Sequence, residues 1–169
     1  MANKYIELEN GSLKEKEASS ISNGAIDAGK IPALDSDGKL DPSLLPPGIG
    51  EDLATIEASE DLDAGDLVNV YDDAGVTKVR KANASIGLEA HGFILSAALA
   101  GESKSVYFEG NISGLSGLTV GSKYFLSSVI AGAVDLTPPT LAGELVQRIG
   151  TAISSTNISF EPSDPITLA

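Results

Sequence analysis

The chain has 169 residues, no cysteine, no tryptophan, a single histidine and a formal net charge of −13. Disulfides and thiolate metal sites are therefore excluded. The sign of the charge argues against a nucleic-acid binder, which needs clustered Lys and Arg, and against docking on anionic lipid.

The first residues, Met1-Ala2-Asn3-Lys4-Tyr5-Ile6-Glu7, turn charged before any apolar run develops. They do not read as a secretory signal, and synthesis in the cytoplasm is expected. No apolar stretch approaches the roughly 20 residues that span a bilayer. The sequons at Asn10, Asn83, Asn111 and Asn157 read as chance in a Ser- and Thr-rich chain.

Residues 1–50 do not read as a folded domain. Tyr5 to Glu9 alternates like a short strand. Residues 13–21 fit a short helix, with Ser12 as N-cap and Glu15 closing a capping box, although that length is marginal alone. From Ser22 to Gly50 the chain is Gly, Asp, Pro and Ser with isolated aliphatics, and Pro32, Pro42, Pro46 and Pro47 favour extended backbone. Asp35-Ser36-Asp37-Gly38 signals one tight turn. The expectation is an extended N-terminal arm or anchor over 1–50. Along such an arm Ile31, Leu34, Leu40, Leu44 and Leu45 cannot bury one another. They are the candidate partner or self-assembly contacts.

Residues 51–169 read as a β-barrel or β-sandwich domain. The 50 residues before it carry −3 and this part carries −10. Its first stretch, 51–73, holds nine acids and no basic residue, which reads as a solvated face. Candidate strands are 53–58, 66–72, 76–82, 90–98, 103–109, 122–127, 133–136, 145–153 and 156–161, several of them alternating apolar and polar residues. Asp72-Asp73-Ala74-Gly75 reads as a four-residue hairpin loop, and Ser154-Ser155 as a second tight turn. Short strands at this spacing mean a mainly β fold. Ala64-Gly65-Asp66, Ala100-Gly101-Glu102, Val120-Gly121-Ser122 and Ala142-Gly143-Glu144 each precede a β run without a fixed period. They read as one turn solution used four times, with Gly at positive φ.

Catalytic chemistry is missing. His91 lies inside a candidate strand and reads as structural. Gly114-Leu115-Ser116-Gly117 lacks the spacing of a nucleophile elbow, and Gly121-Ser122-Lys123 lacks the rest of a phosphate loop. If Gly38 were position 6 of a calcium loop, Ala33 and Leu44 would stand where carboxylates are required, so an Asx-type turn is preferred. The expectation is no enzyme activity, no metal and no cofactor.

Two stretches resemble phage virion structural proteins. Ala28-Gly29-Lys30-Ile31-Pro32-Ala33-Leu34-Asp35-Ser36-Asp37-Gly38-Lys39-Leu40-Asp41-Pro42-Ser43-Leu44-Leu45-Pro46 is similar to a connector recurring in tail fibres, head fibres and head decoration proteins. Gly121-Ser122-Lys123-Tyr124-Phe125-Leu126-Ser127-Ser128, with Gly132, Pro138-Pro139, Gly143 and Val146-Gln147-Arg148-Ile149-Gly150-Thr151-Ala152, resembles a β module of the same proteins. The resemblance implies a virion structural protein and a homotrimer, and the expectation preferred within it is a head decoration or head-fibre role on the outer surface of the capsid, with the major capsid protein as partner. It favours the head because the chain is short for a fibre and has no tail-attachment domain or long shaft. A short tail-fibre or tail accessory protein is the alternative. A soluble β-barrel that binds a small ligand is another, but it leaves the arm unexplained.

Overall fold

Asn10 and Gly11 both take positive φ, 51° and 77°, the two-residue geometry that matches strand twist in a hairpin. They join β1 (Lys4–Glu9) to β2 (Ser12–Glu17) in an antiparallel pair with Glu9 opposite Ser12. The computed structural model describes residues 3–36, 38–45 and 52–169, and the chain divides into two compact units, 1–50 and 51–169.

The first unit corrects two expectations. Residues 13–21 are not helical, because Leu13 to Glu17 lie in β2. Nor is the segment a simple extended arm. Ser19 bridges Pro32 in parallel, with Ser19 N–H donating to Ile31 C=O at 3.0 Å and Ala33 N–H to Ser19 C=O at 2.9 Å. Short 3-10 turns occupy Gly24–Asp27 and Pro42–Leu44. The tight turn is present: Gly38, at φ 74°, donates its N–H to Asp35 C=O at 3.2 Å, and the Asp35 carboxylate accepts from Lys39 N–H at 2.9 Å. Asp37, Pro46 and Pro47, also read as turn and extended residues, lie outside the described residues.

The second unit is β apart from a 3-10 turn at Ala84–Ile86, and it contains a barrel. β3 (Leu53–Ala58), β4 (Leu67–Asp73), β5 (Val76–Lys81), β6 (Gly92–Ile94) and β7 (Ser103–Tyr107) close in the order β3-β5-β4-β6-β7. All neighbours are antiparallel except β3 and β5, which pair in parallel at Glu57–Lys78 and Ala58–Val79. The loop between β4 and β5 is shorter than expected. Asp73 pairs with Val76, leaving only Ala74 and Gly75 at φ 54° and 90°, again the favoured hairpin turn.

A second sheet follows. β8 (Gly110–Ile112), β9 (Lys123–Leu126), β10 (Val134–Asp135), β12 (Arg148–Ala152) and β13 (Ile158–Phe160) lie in the order β10-β9-β12-β13-β8. The short β11 (Leu145–Val146) pairs separately with β14 (Ile166–Thr167). The candidate strand 145–153 is thus two strands, broken at Gln147, and 90–98 is trimmed to Gly92–Ile94.

The two sheets have one topology. With β3 to β7 set against β8, β9, β10, β12 and β13, each antiparallel pairing in one has its counterpart in the other. Only the parallel pair that closes the barrel has none.

The four glycine turns are alike in detail. Gly65, Gly101, Gly121 and Gly143 have φ of 92°, 85°, 80° and 86°. In each, the residue after Gly donates its N–H to the carbonyl three residues back: Asp66 to Asp63, Glu102 to Leu99, Ser122 to Thr119 and Glu144 to Leu141. Each Gly N–H reaches a neighbouring strand end, at Ile94, Ala58, Ala152 or Leu168, and that residue donates back to the carbonyl after Gly. Where the fourth residue is acidic, its carboxylate also accepts the N–H of the first: Asp66 from Asp63 at 2.8 Å, Glu102 from Leu99 at 3.1 Å and Glu144 from Leu141 at 3.0 Å.

Two cores result. Val68, Val79, Ile94, Ala98 and Val106 fill the barrel. Leu67 and Phe93, their immediate chain neighbours, point the other way and join Ile112, Leu126, Ile149, Ile158 and Phe160 in the second core. β4 and β6 are therefore buried on both faces, which explains their unbroken apolar pairs Leu67-Val68 and Phe93-Ile94.

Candidate interaction surface

The acids of 51–73 do not converge. Asp66 and Asp63 lie 3.0 and 3.5 Å from Lys81 Nζ, while Asp73 and Glu57 lie 3.0 and 3.2 Å from Lys78 Nζ. Glu60 accepts from Lys81 N–H, Asp61 from Ala100 N–H and Asp72 from Gly75 N–H. Burial opposes the Lys81 charge, but Asp66 and Asp63 more than offset this and hold the ammonium above its usual range. Each of these seven carboxylates accepts a backbone N–H or pairs with a lysine. Among the described residues no group of three or more His, Cys, Asp or Glu side chains could hold a metal ion.

His91 immediately precedes β6 and serves the barrel wall. Its Nδ1 accepts the Val70 N–H at 2.9 Å, which places the proton on Nε2, 3.1 Å from the Glu89 carboxylate. Beside it the buried Asn69 donates to Glu89 C=O at 3.0 Å and accepts from Arg80 Nε at 3.1 Å. The Arg80 guanidinium lies 4.2 Å from the Tyr71 ring centroid, a cation–π arrangement. This cluster ties strands together.

The first unit differs in having almost no core beneath its surface. Ala33 is its only buried apolar residue among those described. Of the candidate contacts, Ile31, Leu34 and Leu40 are 50 %, 54 % and 43 % exposed, and Leu44 and Leu45 are half-buried. The structure brings none of the five into a common core. Sequence reasoning missed a second group. Ile6, Leu8 and Leu13 are 63 %, 69 % and 75 % exposed. The signal that could have found them is the alternation of Ile6 and Leu8 across an Asn-Gly turn from Leu13.

The second unit, then, has cores of its own and the first has none among its described residues, although both expose large aliphatics, Val129 at 82 % in the second and Ile26 at 82 % in the first. Among solved structures, the chain is similar to the N base of the head fibre gp8.5 of bacteriophage phi29. The identity is 13 %, the TM-score is 0.45, and the match covers 66 % of this chain and 95 % of that one. A likeness of that size carries no argument for a shared role. No family model and no curated protein matches the chain.

Proposed function

We propose that this chain is a bacteriophage virion structural protein, a homotrimer that decorates the outer surface of the head. In this reading residues 1–50 anchor it to the major capsid protein and residues 51–169 project outward. The observation that carries the proposal is the difference in core between the units, since exposed aliphatics such as Val129 and Leu141 occur in the second as well. The second unit has two cores of its own. The first exposes its aliphatics and buries Ala33 alone among its described apolar residues, and it contains the stretch that resembles the connector of phage structural proteins.

The physics fits an anchor. Ile31, Leu34, Leu40, Leu44 and Leu45 would be covered on binding, and a fully buried aliphatic side chain contributes roughly 1.5–3 kcal/mol. Ordering the backbone costs of order 1–2 kcal/mol per residue, but the hydrogen bonds from Ser19 to the 31–33 segment already restrict it. Three anchors in one trimer add avidity without a new kind of contact. The second unit, at −10, would repel its neighbours if packed tightly on a shell, which suits a projecting part.

The test is a truncation that begins at Gly50. It is expected to fold and to fail to bind undecorated heads that the full chain binds. Retained binding by the truncation overturns the anchoring role.

A further inference from the structure

The β1–β2 hairpin is built inside out. Direct cross-strand partners share a face, so Ile6 opposite Glu15 and Leu8 opposite Leu13 put Ile6, Leu8 and Leu13 together on one side. The other side holds Tyr5, Glu7, Glu9, Lys14 and Lys16 by alternation. That charged side carries the half-buried residues Tyr5, Glu9 and Lys16, and the apolar side is bare. A lone two-stranded hairpin is marginal in water, so whatever covers this face is present whenever the hairpin is formed.

We propose that the bare face of the hairpin, with Ile6, Leu8 and Leu13 at its centre, is the seam at which copies of this chain meet. Charge identifies the occupant. The chain carries −13, yet residues 4–17 hold Lys4, Lys14 and Lys16 against Glu7, Glu9, Glu15 and Glu17, a net of −1. Each lysine is neutralised within the hairpin: Lys4 by Glu15, Lys14 by Glu9 at 3.4 Å, and Lys16 by Glu9 at 2.8 Å and Glu7 at 3.7 Å. A basic partner would be met by an acidic face. A near-neutral apolar face suits a partner as acidic as the chain itself, because repulsion between copies is weakest there. Lys4, Glu15 and Glu17 share the apolar side, Glu15 opposite Ile6 and next to Leu13 on that face, so the apolar cluster lies at the turn end, with Leu8 opposite Leu13.

The proposal rests on the homo-oligomer part of the reading above, not on the shell. The chain has no cysteine, so one introduced thiol reports its own neighbours. The full chain carrying Leu8→Cys is expected to form a disulfide-linked dimer on mild oxidation, whereas Glu7→Cys, on the opposite face, is not. Light scattering is expected to give the unmodified chain a multiple of 17.3 kDa and to give Leu8→Lys the single-chain mass, with the melting of the second unit unchanged. An oligomer that persists in Leu8→Lys, without cross-linking of Leu8→Cys, overturns the seam and leaves the oligomer standing. Leu8→Lys that keeps the oligomer but loses head binding assigns the face to the shell and likewise overturns it. An unmodified chain at single-chain mass overturns the oligomer reading and the seam together.

Discussion

Gln147 is a fully enclosed amide that holds two parts of the second unit together. Its Oε1 accepts the Ala90 N–H at 2.8 Å and its Nε2 donates to Ala90 C=O at 3.0 Å, so it mimics one rung of a sheet at the strand break between β11 and β12. Gln147→Leu strands both Ala90 groups in the interior. Each buried group left without a partner costs about 1–3 kcal/mol, and a fall in the urea midpoint equivalent to roughly 2–4 kcal/mol is expected. A midpoint within error of the unmodified chain would show that Ala90 finds other partners. Glu144 offers a test by pH. Hydrogen bonds from Leu141 N–H, helped by Ser128 and Thr140 against the opposing effect of burial, hold its carboxyl below the usual range. A depressed carboxyl contributes stability above its unfolded value, and that contribution disappears as pH falls through the folded value. Exchange protection of the Leu141 amide is thus expected to be steady from neutrality down to the ordinary glutamate range and to drop below it. In Glu144→Gln the drop is expected to vanish and protection to be weaker throughout.

Strands of the second unit were legible where one face is wet. The candidate 53–58 matches β3, and 76–82 runs one residue past β5. Three kinds of element were not legible. β8 and β14 have three and two residues, too few for a period to show. The break at Gln147 could not be read, because a polar residue in an apolar run looks the same whether it faces water or, as here, a buried backbone. In the first unit, Leu, Lys and Glu are good helix formers, so Ser12 to Glu17 imitates a capped helix. The deciding signal was Asn10-Gly11, whose left-handed pair sets a hairpin and lines up Lys14 and Lys16 with Glu7 and Glu9 across the strands. The shared topology of the two sheets left no sequence period because their loops differ in length and one interposes β11. Close strand approach in the second sheet gives a sharp test. A Cβ on Gly150 would sit 1.9 Å from Ser159 C=O, while one on Gly143 meets nothing within 4 Å. Gly150→Ala must therefore push β12 from β13 and is expected to cost more than about 3 kcal/mol, a size reserved for such clashes. Gly143→Ala meets only its positive φ and is expected to cost about 1–2 kcal/mol. Equal losses in thermal denaturation would mean that the approach of the two strands is looser than described.

For the molecule as a whole, the question is whether a barrel and a sheet of the same topology unfold as two bodies or one. Repeated architectures often melt in parts, because each repeat contacts only its neighbours. Here the strands themselves are shared. Val68 and Ile94 fill the barrel, while Leu67 and Phe93, one residue earlier on the same strands, belong to the second core. The Phe93 ring stacks on Tyr107 of β7 at 5.6 Å and meets Phe160 of β13 edge-on at 5.2 Å. Backbone bonds tie the same regions, since Leu67 N–H donates to Gly132 C=O and Gly132 N–H to Ala82 C=O, both at 2.8 Å. Losing the second core would expose one face of β4 and β6 and remove the packing that positions the barrel wall. Residues 51–169 are therefore expected to unfold in a single transition, with calorimetric and van't Hoff enthalpies equal. Ile94→Ala in the barrel and Ile149→Ala in the second core should each cost roughly 2–5 kcal/mol and move that one transition, not split it. In the full chain the same transition should persist, because both cores lie in the second unit. Two resolved transitions, with Ile94→Ala shifting one and Ile149→Ala the other, would mean that the shared strands do not couple the cores and that the two sheets are independent folding units.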